Sequence, residues 1–257
     1  MKKLIEMIKI GLSFFTIVPA GKRVEWTERK VAGTLLFLPV LGGVLALLLS
    51  GVIKGEELFS PLVFSLLLLF IPIIITGGLH LDGWMDVSDA YFSHQNREKK
   101  LAILSDPNVG AFAVISLLVL LSFRFMAIYE LVRVEEVSLL LFVMILSGAR
   151  LSSAFLLMYT KSAKESGLAF YFQSGITPPI KRGFWIEVLL FFGFCAFVSP
   201  LLCFVLGGAL LLYTFCARIF FQRQFGGITG DSIGATIEGG ETFLWIIMWL
   251  FQLFVMA

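Results

Sequence analysis

The sequence predicts an all-α integral membrane protein: one polytopic bundle of about seven transmembrane helices, with an amphipathic or re-entrant helix at its N-terminus. Three observations lead there. The 257 residues are 58% hydrophobic and only 15% charged, too little charge to cover a soluble domain of this length. Phenylalanine alone supplies 27 residues. The apolar residues also gather in runs near the roughly 20 that cross a hydrocarbon core. No internal repeat or low-complexity linker divides the chain, so 1–257 reads as one membrane domain. The bilayer is the partner that composition demands. A formal net charge of +2 gives no footing for nucleic acid.

The elements follow in order. Segment 1–23, MKKLIEMIKIGLSFFTIVPAGKR, mimics a signal peptide with its basic start and apolar stretch. Glu6 and Lys9 interrupt that stretch and no small-x-small cleavage site follows, so it reads as an interfacial or re-entrant helix. Spans are expected at 33–53, 59–79, 110–132, 137–160, 184–198, 201–217 and 243–257. Pro72 is expected to kink the second. Ser199-Pro200 is expected to divide one long apolar run into the fifth and sixth. The fifth and seventh are short enough to be tilted or partly interfacial. Cys195, Cys203 and Cys216 all fall in apolar runs, which favours buried free thiols over disulfides or metal ligands.

The basic residues orient this array. Segments 1–32, 80–109, 161–183 and 218–242 hold sixteen of the 20 lysines and arginines. The opposite side holds Lys54 and, at a span's end, Arg133. Arg124 and Arg150 fall within spans. Excess Lys and Arg marks the cytoplasmic side, so the N-terminus and the three long loops are expected there, in a cytoplasmic (inner) membrane. The outward connections are short and plain. Every polar cluster is therefore available to one cytoplasmic site.

The first cluster is GGLHLDGWMDVSDA, residues 77–90. Asp82, Asp86 and Asp89 stand at i, i+4 and i+7, within an arc of roughly 60° on a helix. Carboxylates that close repel one another unless they share a cation or protons. An oxygen-only set on one face suits Mg²⁺ or Mn²⁺ better than zinc. A solvated acidic face is the plainer reading, but acids are costly beside a membrane span. His80 is expected in the Gly77-Gly78 turn, as a metal ligand, a general base or an interfacial histidine. Asp106, in SDPNVGAF, reads as a helix cap or as a ligand for metal or substrate.

The second cluster, GGITGDSIGA, residues 226–235, sets glycines around Thr229 and Asp231. Its Gly226, Gly227 and Gly230 would let backbone N–H groups approach phosphate oxygens. It lacks the Walker lysine and no strand precedes it. Glu238 and Glu241 add acids near a membrane boundary. Arg150, inside a span, needs either a phosphate or a buried carboxylate. Arg124 is expected to snorkel toward the outer side.

Taken together, GGLHLDGWMDVSDA, ILSDPNVGAF (103–112), KESGL (164–168) and GGITGDSIGA resemble the cobalamin synthase family, the membrane adenosylcobinamide-GDP ribazoletransferases, along nearly the whole chain. Two departures stand out. Ala90 follows the third aspartate where the family often has Gly, and Asp106-Pro107-Asn108 lacks the basic residue that the family often carries there. The resemblance implies a Mg²⁺-dependent last step of nucleotide-loop assembly. Adenosylcobinamide-GDP and α-ribazole, or its 5′-phosphate, would give adenosylcobalamin, or its 5′-phosphate, and GMP. Asp82, Asp86 and Asp89 would then hold metal. His80 and Asp231 would join them in catalysis, and Gly83, Asp106, Arg150, Gly226, Gly227, Thr229 and Gly230 would meet substrate. A homo-oligomer is left open. Two alternatives fit the sequence less well. A CDP-alcohol phosphotransferase would need an Asp three residues before Asp82 and an Ala-Arg pair after it, and both are missing. A cation or organic-ion transporter would place its acids near mid-membrane on broken helices.

Overall fold

The computed structural model describes residues 2–256, and among them α-helices follow one another with no β-strand. They are α1 (Lys2–Phe15), α2 (Glu28–Gly33), α3 (Phe37–Ile53), α4 (Pro61–Thr76), α5 (Leu79–Phe92), α6 (Arg97–Ile103), α7 (Ala111–Arg133), α8 (Leu139–Tyr159), α9 (Leu168–Ser174), α10 (Pro178–Val198), α11 (Pro200–Phe225) and α12 (Gly230–Phe251). Three of them, α7, α8 and α11, are long and apolar enough to cross a membrane; the bent pair α4–α5 would count as a fourth only if its two arms formed one span. The chain is thus a helical membrane bundle, although on this criterion fewer helices qualify than the seven expected. Helix α3 is apolar but shorter.

Local chemistry explains most boundaries. Helix α4 starts at Ser60, whose hydroxyl accepts from the Val63 amide, followed by Pro61 at the first helical position. Both features satisfy or remove amides that a helix start leaves unpaired. Prolines open α10 and α11 in the same way. Ser199 alone separates those two helices, as the Ser199-Pro200 pair predicts.

The bend between α4 and α5 is 91°. It occurs at Gly77 and Gly78, not at Pro72, which stays inside a continuous α4. Both glycines are left-handed, with φ of 65° and 72°. Two successive left-handed residues are accessible to glycine and strained for almost any other side chain. Helix α5 therefore leaves the apolar arm at a right angle.

Helix α12 lies at the centre, packed on α5, α7, α8 and α11. It begins at Gly230, well before the span expected at 243–257. Its first half looked polar, but every residue from Ser232 to Thr242 is buried. Thr229 caps it through a reciprocal bond pair with Ser232. Glu238 and Glu241 are not boundary acids. Glu238 Oε2 accepts from Arg124 Nη2 at 2.7 Å, and Glu241 bridges Arg124 at 3.2 Å and Arg150 at 2.6 Å. Arg124 is 3% exposed and does not snorkel. Two cations and two anions inside the bundle balance one another, where any one alone would cost several kcal/mol.

At the N-terminus, α1 does form and packs on α2 and α3. Cys195 is buried, Cys203 partly so and Cys216 exposed, and all three are free.

Candidate active site

The site begins with the two faces of α5. His80, Gly83, Val87 and Ala90 form its buried face, against α12 and α7. Asp82, Asp86 and Asp89 lie on the other, with Asp82 exposed and the other two partly buried. The helical spacing read from the sequence is thus realised.

Helix α12 brings a fourth carboxylate. Two glycines let its first turns touch α5 backbone to backbone. A Cβ on Gly83 would sit 2.6 Å from the Asp231 carbonyl oxygen, and one on Gly234 would sit 2.7 Å from that of His80. Any side chain at either position would push the helices apart. Gly83, expected to meet substrate, makes this crossing possible and also lines the depression beside it.

Three adjoining depressions form a furrow along the crossing. The first is lined by His80, Asp82, Gly230 and Asp231. The second, of about 200 Å³, is lined by Ser105, Lys164, Thr229 and Asp231. The third is lined by Asp82, Asp86, Asp89 and Asn108. Asp82 joins the first to the third, and Asp231 joins the first to the second.

Electrostatics mark the furrow out. Among the described residues, no Lys or Arg forms an ion pair with any of the four aspartates. Partial burial raises the pKa of Asp86 to about 6, and the charges of Asp82, Asp231 and Asp89 push it the same way. The field there favours a cation. Among the described residues, no three His, Cys, Asp or Glu side chains converge into a ready-made metal cage. Mg²⁺ does not need one, since it commonly takes one or two carboxylates and completes its shell with water and phosphate oxygens. The all-oxygen donor set fits that ion.

Several expectations need correction. His80 lies in the first turn of α5, because the helix reaches back to Leu79. It is 2% exposed, and its Nε2 has no hydrogen-bond partner. Asp106 caps no helix. Its Oδ1 accepts from the Asn108 amide at 3.0 Å and from Asn108 Nδ2 at 2.7 Å, and these two bonds hold its carboxyl below the usual range. Gly110 opens α7 instead, and Asp106 is outside the furrow lining. Arg150 is buried against Glu241 and the Leu146 carbonyl, the buried-carboxylate alternative rather than the phosphate one.

The glycine loop also differs from expectation. The Gly227 amide donates to Phe221, that of Ile228 to Lys161, and that of Thr229 to the Ser232 hydroxyl. Those three amides hold the loop together and leave no phosphate cradle at 227–229. Gly226 closes α11 in a left-handed turn beside Arg97. Thr229 and Gly230 do line the furrow.

Lys164 was not singled out from the sequence as a site residue. Its Nζ donates to the Leu101 carbonyl at 2.9 Å and to the Ser105 hydroxyl at 3.0 Å. That fixes a cation in the depression that holds Asp231. Its signal was the isolated lysine in KESGL on the basic side. Asn108 was missed in the same way.

Comparison with known proteins shows the family. The sequence profile of the family described as cobalamin-5-phosphate synthase matches residues 7–249. An adenosylcobinamide-GDP ribazoletransferase of Geobacillus sp. (strain WCH70) is 36% identical over 261 residues, covering 96% of this chain and 97% of the relative. One from Geobacillus thermodenitrificans is 38% identical, covering 94% of each chain. One from Halalkalibacterium halodurans is 38% identical over the full length of both. No solved structure matches significantly. With a family match over nearly its whole length and relatives this similar, the chain belongs to the cobalamin-5-phosphate synthase family.

Proposed function

We propose that this chain is an adenosylcobinamide-GDP ribazoletransferase that joins adenosylcobinamide-GDP to α-ribazole, or its 5′-phosphate, and releases GMP. The observation that carries the reading is the furrow: four carboxylates without a cationic partner, next to a fixed lysine, in a chain whose relatives bear that name. Phosphoryl-type transfer asks a protein for charge neutralisation and in-line positioning, and little else. In the proposed reaction a free ribose hydroxyl of the ribazole, other than the 5′-oxygen that carries phosphate in the phosphorylated substrate, attacks the phosphorus that carries cobinamide. A new P–O bond forms, the bond to the GMP oxygen breaks, and the hydroxyl proton leaves.

Each role follows from position. Asp82, Asp86 and Asp89 would hold Mg²⁺, which when bound would neutralise the diphosphate and the departing GMP. Asp231 stands where two depressions meet and orients the ribazole hydroxyl, accepting its proton. Lys164 meets a phosphate oxygen as a point charge. Thr229 and Gly230 border that position. His80 lies beneath, on the packed face of α5, and supports the wall between Asp82 and Asp231. The charge asymmetry of the loops supports a furrow facing the cytoplasm.

Purified protein in lipid vesicles tests the proposal. GMP should appear only when adenosylcobinamide-GDP, α-ribazole and Mg²⁺ are all present, and a chelator should stop it. No GMP with all three present would reject the reaction. GMP formation unaffected by chelation would reject the metal.

A further inference from the structure

A separate depression shares no lining residue with the furrow. It is a groove of about 210 Å³ between α8, α10 and α11, walled by Phe155, Phe184, Val188, Phe192 and Leu211. Leu211 and the flanking Trp185 and Phe215 are largely exposed, so the groove opens sideways on an apolar belt. Its few polar lining groups are mostly satisfied. Thr214 donates to the Leu210 carbonyl at 2.7 Å and meets the Ser152 hydroxyl at 2.9 Å, and the Trp185 indole donates to the Tyr159 hydroxyl at 2.8 Å.

Arg218 is the exception. Its Nη2 reaches the Tyr159 carbonyl at 3.1 Å, but its Nε is buried without a partner. Among the described residues no carboxylate pairs with it. A second cation, Lys181 Nζ, stands 5.4 Å from the Tyr159 ring centroid. The end of α8, the start of α10 and the last third of α11 meet here, on the basic side. A groove of this kind carries positive charge at its head and apolar walls below. A partly desolvated guanidinium without a counter-ion is costly unless an anion meets it, and its planar fork matches phosphate oxygens.

We propose that this groove is a binding site for one anionic phospholipid. The phosphodiester meets Arg218, with Lys181 nearby, and an acyl chain lies along the wall of Val188, Phe192 and Leu211. Aromatic residues at the rim and cations at the cytoplasmic interface are what such a lipid meets. The site is separate from the aspartate furrow, and its test does not depend on turnover.

Delipidated protein in detergent is titrated with dioleoylphosphatidylglycerol, dioleoylphosphatidylcholine or glycerol 1-phosphate. Melting temperature and intact-complex mass spectrometry are the readouts. Phosphatidylglycerol should raise the melting temperature and stay bound as a single adduct, while phosphatidylcholine and glycerol 1-phosphate should not. Arg218→Gln should weaken that binding about tenfold, the loss of one charge-assisted contact. Arg223→Gln, at an exposed position outside the groove, should leave it unchanged. Equal binding of the two lipids, an equal effect of glycerol 1-phosphate, or wild-type binding by Arg218→Gln would each overturn the site. Should Arg218→Gln not fold, Val188→Trp fills the groove and keeps the charge. It should lose the adduct, and retention would overturn the proposal.

Discussion

Asp86 is the residue that reports most sensitively on the furrow. Its carboxyl titrates near 6 instead of its ordinary 3.8, so the folded protein holds that proton more tightly than the unfolded chain. The sign follows. Without metal, Asp86 favours folding as pH falls through about 6, and that contribution disappears as pH rises through the same range. Metal-free protein should therefore melt higher at pH 5 than at pH 7 as far as this group decides. Asp86→Asn should flatten the difference and melt higher than wild type at pH 7. Calorimetry in detergent with a chelator checks this. Wild type melting higher at pH 7, with Asp86→Asn unchanged, would show that the aspartates do not strain one another. If the aspartates hold Mg²⁺ as proposed, added Mg²⁺ should reverse the order, because the anion is the form that binds metal. At this scale the aspartates were legible, since a spacing of i, i+4, i+7 has one meaning on a helix. The burial of His80 was not, because it depended on how far α5 extends back. Lys164 was legible only as part of a motif, because a lone lysine in a loop is otherwise a solvated one.

The helices carry a second layer of argument. Apolar runs located α3, α4, α7 and α8 to within a few residues. They failed for α12, whose first half contains Gly, Thr and Glu. Those residues look like a loop until Arg124 and Arg150 arrive from α7 and α8. Hydropathy counts residues and cannot anticipate a partner on another helix. The same blindness put Arg124 at the outer surface. Two outcomes follow. Gly83→Ala should force α12 off α5, because the new Cβ meets the Asp231 backbone at 2.6 Å. Overpacking of this kind costs about 1–3 kcal/mol. GMP release should fall more than tenfold while the protein still elutes as a folded species. Full activity in Gly83→Ala would mean that the close crossing does not position Asp231. The charge network offers the other outcome. Arg150→Met leaves Glu241 short of a cation and should cost about 3–5 kcal/mol. Arg150→Met with Glu241→Gln removes one charge of each sign and should recover at least about 1 kcal/mol of that loss, seen by thermal unfolding of the four proteins of the cycle. Simple additivity would show that the two side chains are not coupled.

Over the whole molecule, composition and charge asymmetry carry the reading. The bundle and its membrane setting were legible because a chain this apolar has few alternatives. The number of crossings was less so. Gly77-Gly78 turns an expected span and its loop into a bent pair, and no run of hydropathy encodes a right angle. Orientation rests on the side that holds most lysines and arginines. A single cysteine at Ser93 should stay unreactive toward an impermeant thiol reagent in intact cells and react in inverted vesicles, with Cys195, Cys203 and Cys216 replaced. Labelling from outside would invert the topology. The central claim is that the aspartate furrow is where GMP leaves. Its most direct test is turnover of Asp82→Asn, Asp86→Asn and Asp89→Asn in vesicles across a Mg²⁺ titration, since each change keeps shape and removes one anion. Each should lower turnover by about 10² or more, as when electrostatic stabilisation of a transition state is lost, and each should need more Mg²⁺ for half its own maximum. Near-wild-type turnover with an unchanged Mg²⁺ requirement in all three would contradict the claim.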